Sequence, residues 1–203
     1  MAQCDPDPAP VRRRRAALAG HSGDTTALRE LLADPDPSVR ATALAGLARA
    51  GGLDDERLRA SLLDPAPSVR RRATELAARH PEVSLRERLR DGDASVGEMA
   101  AWAVGEQPDC SNGTIAALAE MARHHRDPLC REAAVAALGA LGAHGAPGGL
   151  VAILGAITDR PAIRRRAVLA LAPFDGPDVE AALRRALHDR DRQVRQAAED
   201  LLG

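Results

Sequence analysis

A short phrase returns along the chain: an apolar residue, in most copies an arginine directly after it, and an alanine four positions on. The apolar anchors are Val39, Val69, Val96, Cys130, Ile163 and Val194, spaced 30, 27, 34, 33 and 31 residues apart. Four positions later stand Ala43, Ala73, Ala100, Ala134, Ala167 and Ala198. Eight positions later come Leu47, Ala77, Val104, Leu138, Leu171 and Leu202. Steps of four and eight mark one face of an α-helix, so each phrase predicts an amphipathic helix that meets a neighbour through small residues. A period of this length places the chain among repeat architectures before any other property is consulted.

The helix starts repeat as well. Asp36, Asp93, Asp127 and Asp191 lie three positions before an anchor, where a carboxylate caps free backbone donors. Pro37, Pro67, Pro128 and Pro161 stand one position further on, where the missing N–H costs nothing. Upstream of each cap a second helix is predicted from leucines eleven and seven positions before the anchor: Leu28 and Leu32, Leu58 and Leu62, Leu85 and Leu89, Leu183 and Leu187. The links are Gly51–Gly52, His80–Pro81, Gln107 to Gly113, His144 to Gly149, and Asp175 to Pro177. The unit is thus helix, tight Asp/Pro turn, helix and polar link. The composition agrees, because Trp102 and Phe174 are the only aromatics and narrow inter-helix spaces can be filled by Ala, Leu and Val.

Phrases such as DPDPSVRATALAGLARAG and DASVGEMAAWAVGE resemble the HEAT repeat, especially the short form found in phycobilin lyase subunits and many bacterial proteins. The resemblance implies an all-α fold, an α-solenoid superhelix of about six helical hairpins, since one hairpin cannot bury its apolar face alone. It covers residues 24–203 as a single domain. Residues 1–23 are expected to form a tail and a degenerate half-repeat around Val11 that caps the stack.

Arg40, Arg70, Arg131, Arg164 and Arg195 each follow an anchor directly. A position in phase with the core is expected to form an internal ladder, with Asp34, Asp64, Asp91 and Asp189, five positions before an anchor, as partners. Gly97 takes the arginine's place after Val96, and with the long Gln107–Gly113 link it predicts a weakened joint. The second helices are expected to build a concave face from positions two and six after the anchor. That row reads Ala41, Ala45, Arg71, Glu75, Glu98, Trp102, Glu132, Ala136, Arg165, Leu169, Gln196 and Asp200.

Chemistry finds few candidates. Deoxyhypusine hydroxylase, a HEAT-like enzyme, holds iron through His-Glu pairs, and none of the six histidines here precedes a glutamate. Cys110, His124, His125 and Cys130 lack a CxxC unit for zinc, and Cys130 sits at an anchor as a small core residue. His124 and His125 read as solvated helix-end residues. No GxSxG and no glycine-rich phosphate loop occurs, so no catalytic residue, metal or cofactor is expected. The arginine clusters 12–15, 70–72 and 164–166 raise a DNA- or RNA-binding alternative like that of HEAT-like alkylpurine glycosylases. Against it, the row of positions two and six carries two arginines and four carboxylates, and phosphate binding needs unopposed cations. A third alternative is a non-catalytic subunit of a lyase or other modifying enzyme.

The reading favoured is a protein-interaction or scaffold module, with Arg71, Glu75, Glu98, Trp102, Glu132, Arg165 and Leu169 meeting a protein partner. Net charge −1 supplies no strong field of either sign. Three cysteines, an odd number, suit reduced thiols, and no segment reaches the ~18 apolar residues of a membrane span. A soluble, cytoplasmic protein is expected. All 28 basic residues are arginine, a habit of GC-rich coding before it is a sign of function.

Overall fold

The structure, a computed structural model, describes residues 7–108, 110–142 and 147–203. Cys4 and part of the His144–Gly149 link lie outside the described residues. Among the described residues the chain is helical throughout, without strands, and belongs to the all-α solenoid class. It divides into two compact units between Val83 and Ser84.

In the first unit the second helices of the repeat are α1 (Ala9–Ser22), α3 (Pro37–Arg49) and α5 (Pro67–Ala77), and the first helices are α2 (Thr25–Leu31) and α4 (Asp55–Ser61). Helix α1 has no first helix before it among the described residues. Its anchor, Val11, is therefore half-exposed, whereas the other six anchors are buried. In the second unit a short 3-10 helix (Arg86–Arg90) precedes α6 (Ala94–Gly105). Helices α7 (Asn112–His124) and α8 (Pro128–Leu141) follow, then α9 (Pro147–Ala156) and α10 (Pro161–Ala170), then α11 (Pro177–Ala186) and α12 (Arg192–Leu202).

The 3-10 helix corrects one sequence expectation. Leu85 and Leu89 are buried as their spacing predicts, but the segment between them is not an α-helix. The shortest period of the chain falls here, 27 residues, and no side chain caps Leu85 at the start. One α turn cannot nucleate without a cap and with so few residues to propagate.

The turns behave as their residues dictate. Asp36, Asp93, Asp127 and Asp191 accept hydrogen bonds from backbone N–H groups two positions ahead at 2.8–2.9 Å, which satisfies a free donor of each helix start. The alanines four after each anchor are fully buried, and burial of anchors, alanines and leucines supplies the stabilisation at ~25 cal/mol per Å² of apolar surface.

Small residues set how closely neighbouring second helices approach. A Cβ added to Gly20 of α1 would stand 2.8 Å from the Cα of Gly46 in α3. One added to Gly139 of α8 would stand 2.7 Å from the Cα of Ala170 in α10. In both pairs the ninth residue after one anchor meets the seventh after the next. A side chain there would collide with backbone, so the spacing of repeats depends on these positions staying small.

Candidate interaction surface

The arginine after each anchor is spoken for by the fold. Arg40 grips Asp64 of the following repeat through Nε and Nη2 at 2.8 and 2.7 Å, and its Nη1 donates to the Asp34 carbonyl of its own turn at 2.8 Å. Arg164 repeats the arrangement with Asp189 at 2.8 and 2.7 Å and the Asp159 carbonyl at 2.8 Å. Arg131 holds Asp159 at 3.1 and 3.2 Å and the His125 carbonyl at 2.9 Å. Arg70 donates to the Asp64 carbonyl at 2.9 Å, and Arg195 to that of Asp189 at 2.7 Å. Asp91 accepts from the Asp93 N–H at 3.0 Å and pairs with Arg88 at 3.0 Å.

Two members of this ladder were missed in the sequence. Arg12 pairs with Asp34 at 2.6 Å, which makes α1 a true second helix in register with the rest. Asp159 stands four positions before its anchor, not five, and so escaped the pattern. Each rung carboxylate also accepts a backbone N–H, and these contacts set its ionisation. The Arg12 fork, against the opposing effect of burial, holds Asp34 below the ordinary carboxylate range, and the Asp36 N–H adds to this. For Asp64, burial pushes up, but Arg40 and the Ala66 N–H outweigh it and the value is lowered. Asp189 is lowered chiefly by Arg164. For Asp159 the opposition of burial is overcome by the Arg160 N–H and Arg131.

The histidine reading needs a correction. His125 is half-buried and occupies the place that Asp34, Asp64 and Asp189 hold in other repeats. Its Nδ1 accepts the Asp127 N–H at 3.1 Å, as Asp34 accepts that of Asp36 at 2.8 Å. The imidazole replaces the carboxylate as turn acceptor, and Gly97 of α6 replaces the arginine that would have gripped it. Both halves of one rung are absent together, so neither an uncompensated arginine nor an unpaired carboxylate is buried there. Cys130 is buried, donates to the Ala94 carbonyl at 3.2 Å, and has its thiol pushed up to about 11 by burial. It behaves as core, and no cluster of three or more metal-ligating side chains occurs among the described residues.

Residues two and six after the anchors lie on the open side of the second helices. In the second unit Trp102 of α6 is 46% exposed and Leu169 of α10 is 37% exposed, with Ala136 of α8 at the same register on the helix between them. Glu98 is exposed, Glu132 is half-buried and lies 3.5 Å from Arg166, and Arg165 is exposed. Ala136, Gly139, Ala140, Leu169 and Pro173 line a shallow open hollow of about 520 Å³. Aromatic and aliphatic carbon are thus left in water beside a floor of alanine and glycine, with charges around it.

In the first unit the equivalent face carries Ala41 and Ala45, half-buried, Arg71, exposed, and Glu75, which Arg72 holds at 2.8 Å. Counting only positions two and six omitted the row ten after each anchor. There His21, Arg49 and Arg79 stand, and Arg49 Nη1 lies 3.2 Å from His21 Nε2. That contact shows that this row too is continuous from α1 to α3.

The family described as HEAT repeats matches residues 56–139 and 82–160. A designed armadillo repeat protein is similar over 86% of this chain and 97% of its own, with 17% identity and a TM-score of 0.60. An engineered protein is similar over 95% of this chain and 63% of its own, with 21% identity and a TM-score of 0.62. Human deoxyhypusine hydroxylase in complex with glycerol is similar at 23% identity over 98% of this chain and 80% of its own, with a TM-score of 0.49. No curated protein matches. At these identities the designed armadillo repeat protein and the engineered protein speak for the fold alone, and the likeness to phycobilin lyase subunits finds no support in the comparisons. No helix among the described residues is long and apolar enough to cross a membrane.

Proposed function

We propose that this chain, which belongs to the HEAT repeat family, is a protein-interaction module whose second unit engages a partner through the open face of α6, α8 and α10. The observation that carries this reading is Trp102, a large aromatic left 46% exposed in register with exposed Leu169. Packing does not require an aromatic there, since the same register on α3 and α8 is filled by Ala45 and Ala136. Tryptophan anchors dominate many interfaces because one rigid side chain buries a large area at small entropic cost. Glu98, Glu132 and Arg165 would form the polar rim that orients the partner and governs association rate. No cofactor enters the reading. The first unit's Arg71 and Glu75 stand on the corresponding face of α5 and are assigned a lesser share, since Glu75 is already bound by Arg72.

Trp102 is the sole tryptophan, so its emission reports directly on this surface. Proteins captured from source cytosol on wild type would each be titrated against purified wild type and against Trp102→Ala. Burial by a partner shifts the emission to the blue. A partner that binds Trp102→Ala as well as wild type, with emission unchanged, would remove this surface from the account.

A further inference from the structure

The open face of the first unit has a different chemistry. Helices α1, α3 and α5 carry a single carboxylate, Glu75, and Arg72 occupies it at 2.8 Å. Arg12, Arg40 and Arg70 are engaged by the ladder. Arg14 and Arg15 line a hollow with Val11 and Leu18; of the rest, Arg13, Arg49 and Arg71, with Arg79 just beyond α5, are exposed on or beside the row that Ala17, Ala41 and Ala45 floor. None of the four has a carboxylate partner among the described residues. Alanines of this kind give an approaching chain no side-chain obstacle, and the Gly20–Gly46 contact keeps the floor narrow.

We infer that this face of the first unit is a docking site for an extended acidic protein segment, one rich in Asp and Glu. Guanidinium forks bind carboxylates in paired hydrogen bonds, and an extended segment lies flat over an alanine floor while its side chains reach arginines on either flank. Nucleic acid fits less well. Four unopposed cations fall short of the roughly six to ten phosphate contacts typical of duplex binding. Single strands need aromatic platforms, and both aromatics of the chain, Trp102 and Phe174, lie outside this unit. The inference is independent of the Trp102 surface and stands or falls separately.

The test uses the full chain and a fluorescein-labelled twelve-residue peptide of alternating Glu, Asp and Gly, read by anisotropy at low salt. Competing probes are a random-sequence DNA duplex and an oligothymidylate strand. The variants are Arg49→Glu with Arg71→Glu, and, as a charge-matched control in the other unit, Arg185→Glu with Arg192→Glu. All are surface changes, and unaltered circular dichroism checks the fold. Expected are binding of the peptide by wild type, a loss of about tenfold or more in the first pair, and little change in the control pair. No binding of the peptide, or equal loss in both pairs, overturns the inference. Tighter binding of either nucleic acid than of the peptide, lost in the first pair, replaces it with a phosphate-binding face.

Discussion

The two units use one repeat to present two surfaces. In Met1–Val83 the open face of the second helices is arginine over alanine, while in Ser84–Gly203 it begins with Glu98, Trp102 and Glu132 and runs on to Leu169. Anchors, buried alanines and rung arginines hardly vary between them. The units also differ inside: Arg12–Asp34 and Arg40–Asp64 are intact rungs of the first, whereas the second lacks the rung at Gly97 and His125 and resumes it at Arg131–Asp159 and Arg164–Asp189. Residues in phase with the core are constrained by packing, and those half a turn away are free to diverge. Function is therefore sought in the second class, and arginines sort into the two classes by register, not by clustering.

That division can be broken most severely at a close approach. Gly139→Val should destabilise by about 3 kcal/mol, because its Cβ meets backbone of Ala170; chemical denaturation reads the loss, and a change under 1 kcal/mol would show that the stack yields. Next in size is a rung against its neighbour. Arg164→Met leaves the part-buried Asp189 without its fork and should cost about 2 kcal/mol, while Arg165→Met, one residue on, should stay within about 0.5 kcal/mol. Equal effects would erase the distinction between ladder and surface.

Acid sharpens the same point. Asp34, Asp64, Asp159 and Asp189 are held below the ordinary carboxylate range, so their contribution is fully present above that range and is lost as pH falls through their lower folded values. Melting temperature followed from pH 6 to pH 2 should drop steeply below about pH 4 in wild type and less steeply in Asp64→Asn with Asp189→Asn. Parallel curves would mean that the rungs titrate without stabilising. The smallest effect is expected where the ladder is missing. An added Cβ at Gly97 meets only Met121, Cys130 and Leu89 at ordinary distances, 3.5 to 3.9 Å. Gly97→Ala should therefore stabilise α6 by about 0.5–1 kcal/mol, measured by thermal melting.

Legibility in the sequence followed locality. Anchors, caps and N-terminal prolines are written within a few residues of each other, and they read correctly because helix period and cap chemistry are local. Rungs join separate repeats, so they were readable only where spacing stayed constant. Asp159, one residue out of phase, and Arg12, in a helix with no first helix before it among the described residues, were invisible to a fixed count. His125 was passed over because a ring nitrogen replacing a carboxylate is a likeness of lone pairs, not of residue type. The 3-10 helix arose from a shortened period, which spacing flagged but leucine pattern concealed. On the surface, counting to position six found Trp102, and stopping there left out Arg49 and Arg79.

The most direct test sets the two classes of residue against each other in one experiment. Arg164→Met and Trp102→Ala would each be measured for unfolding free energy and for affinity to a partner captured by wild type. The account predicts that Arg164→Met lowers stability and keeps affinity, while Trp102→Ala keeps stability and loses about tenfold or more in affinity. The reverse outcome, with Trp102 needed for folding and Arg164 for binding, would contradict it.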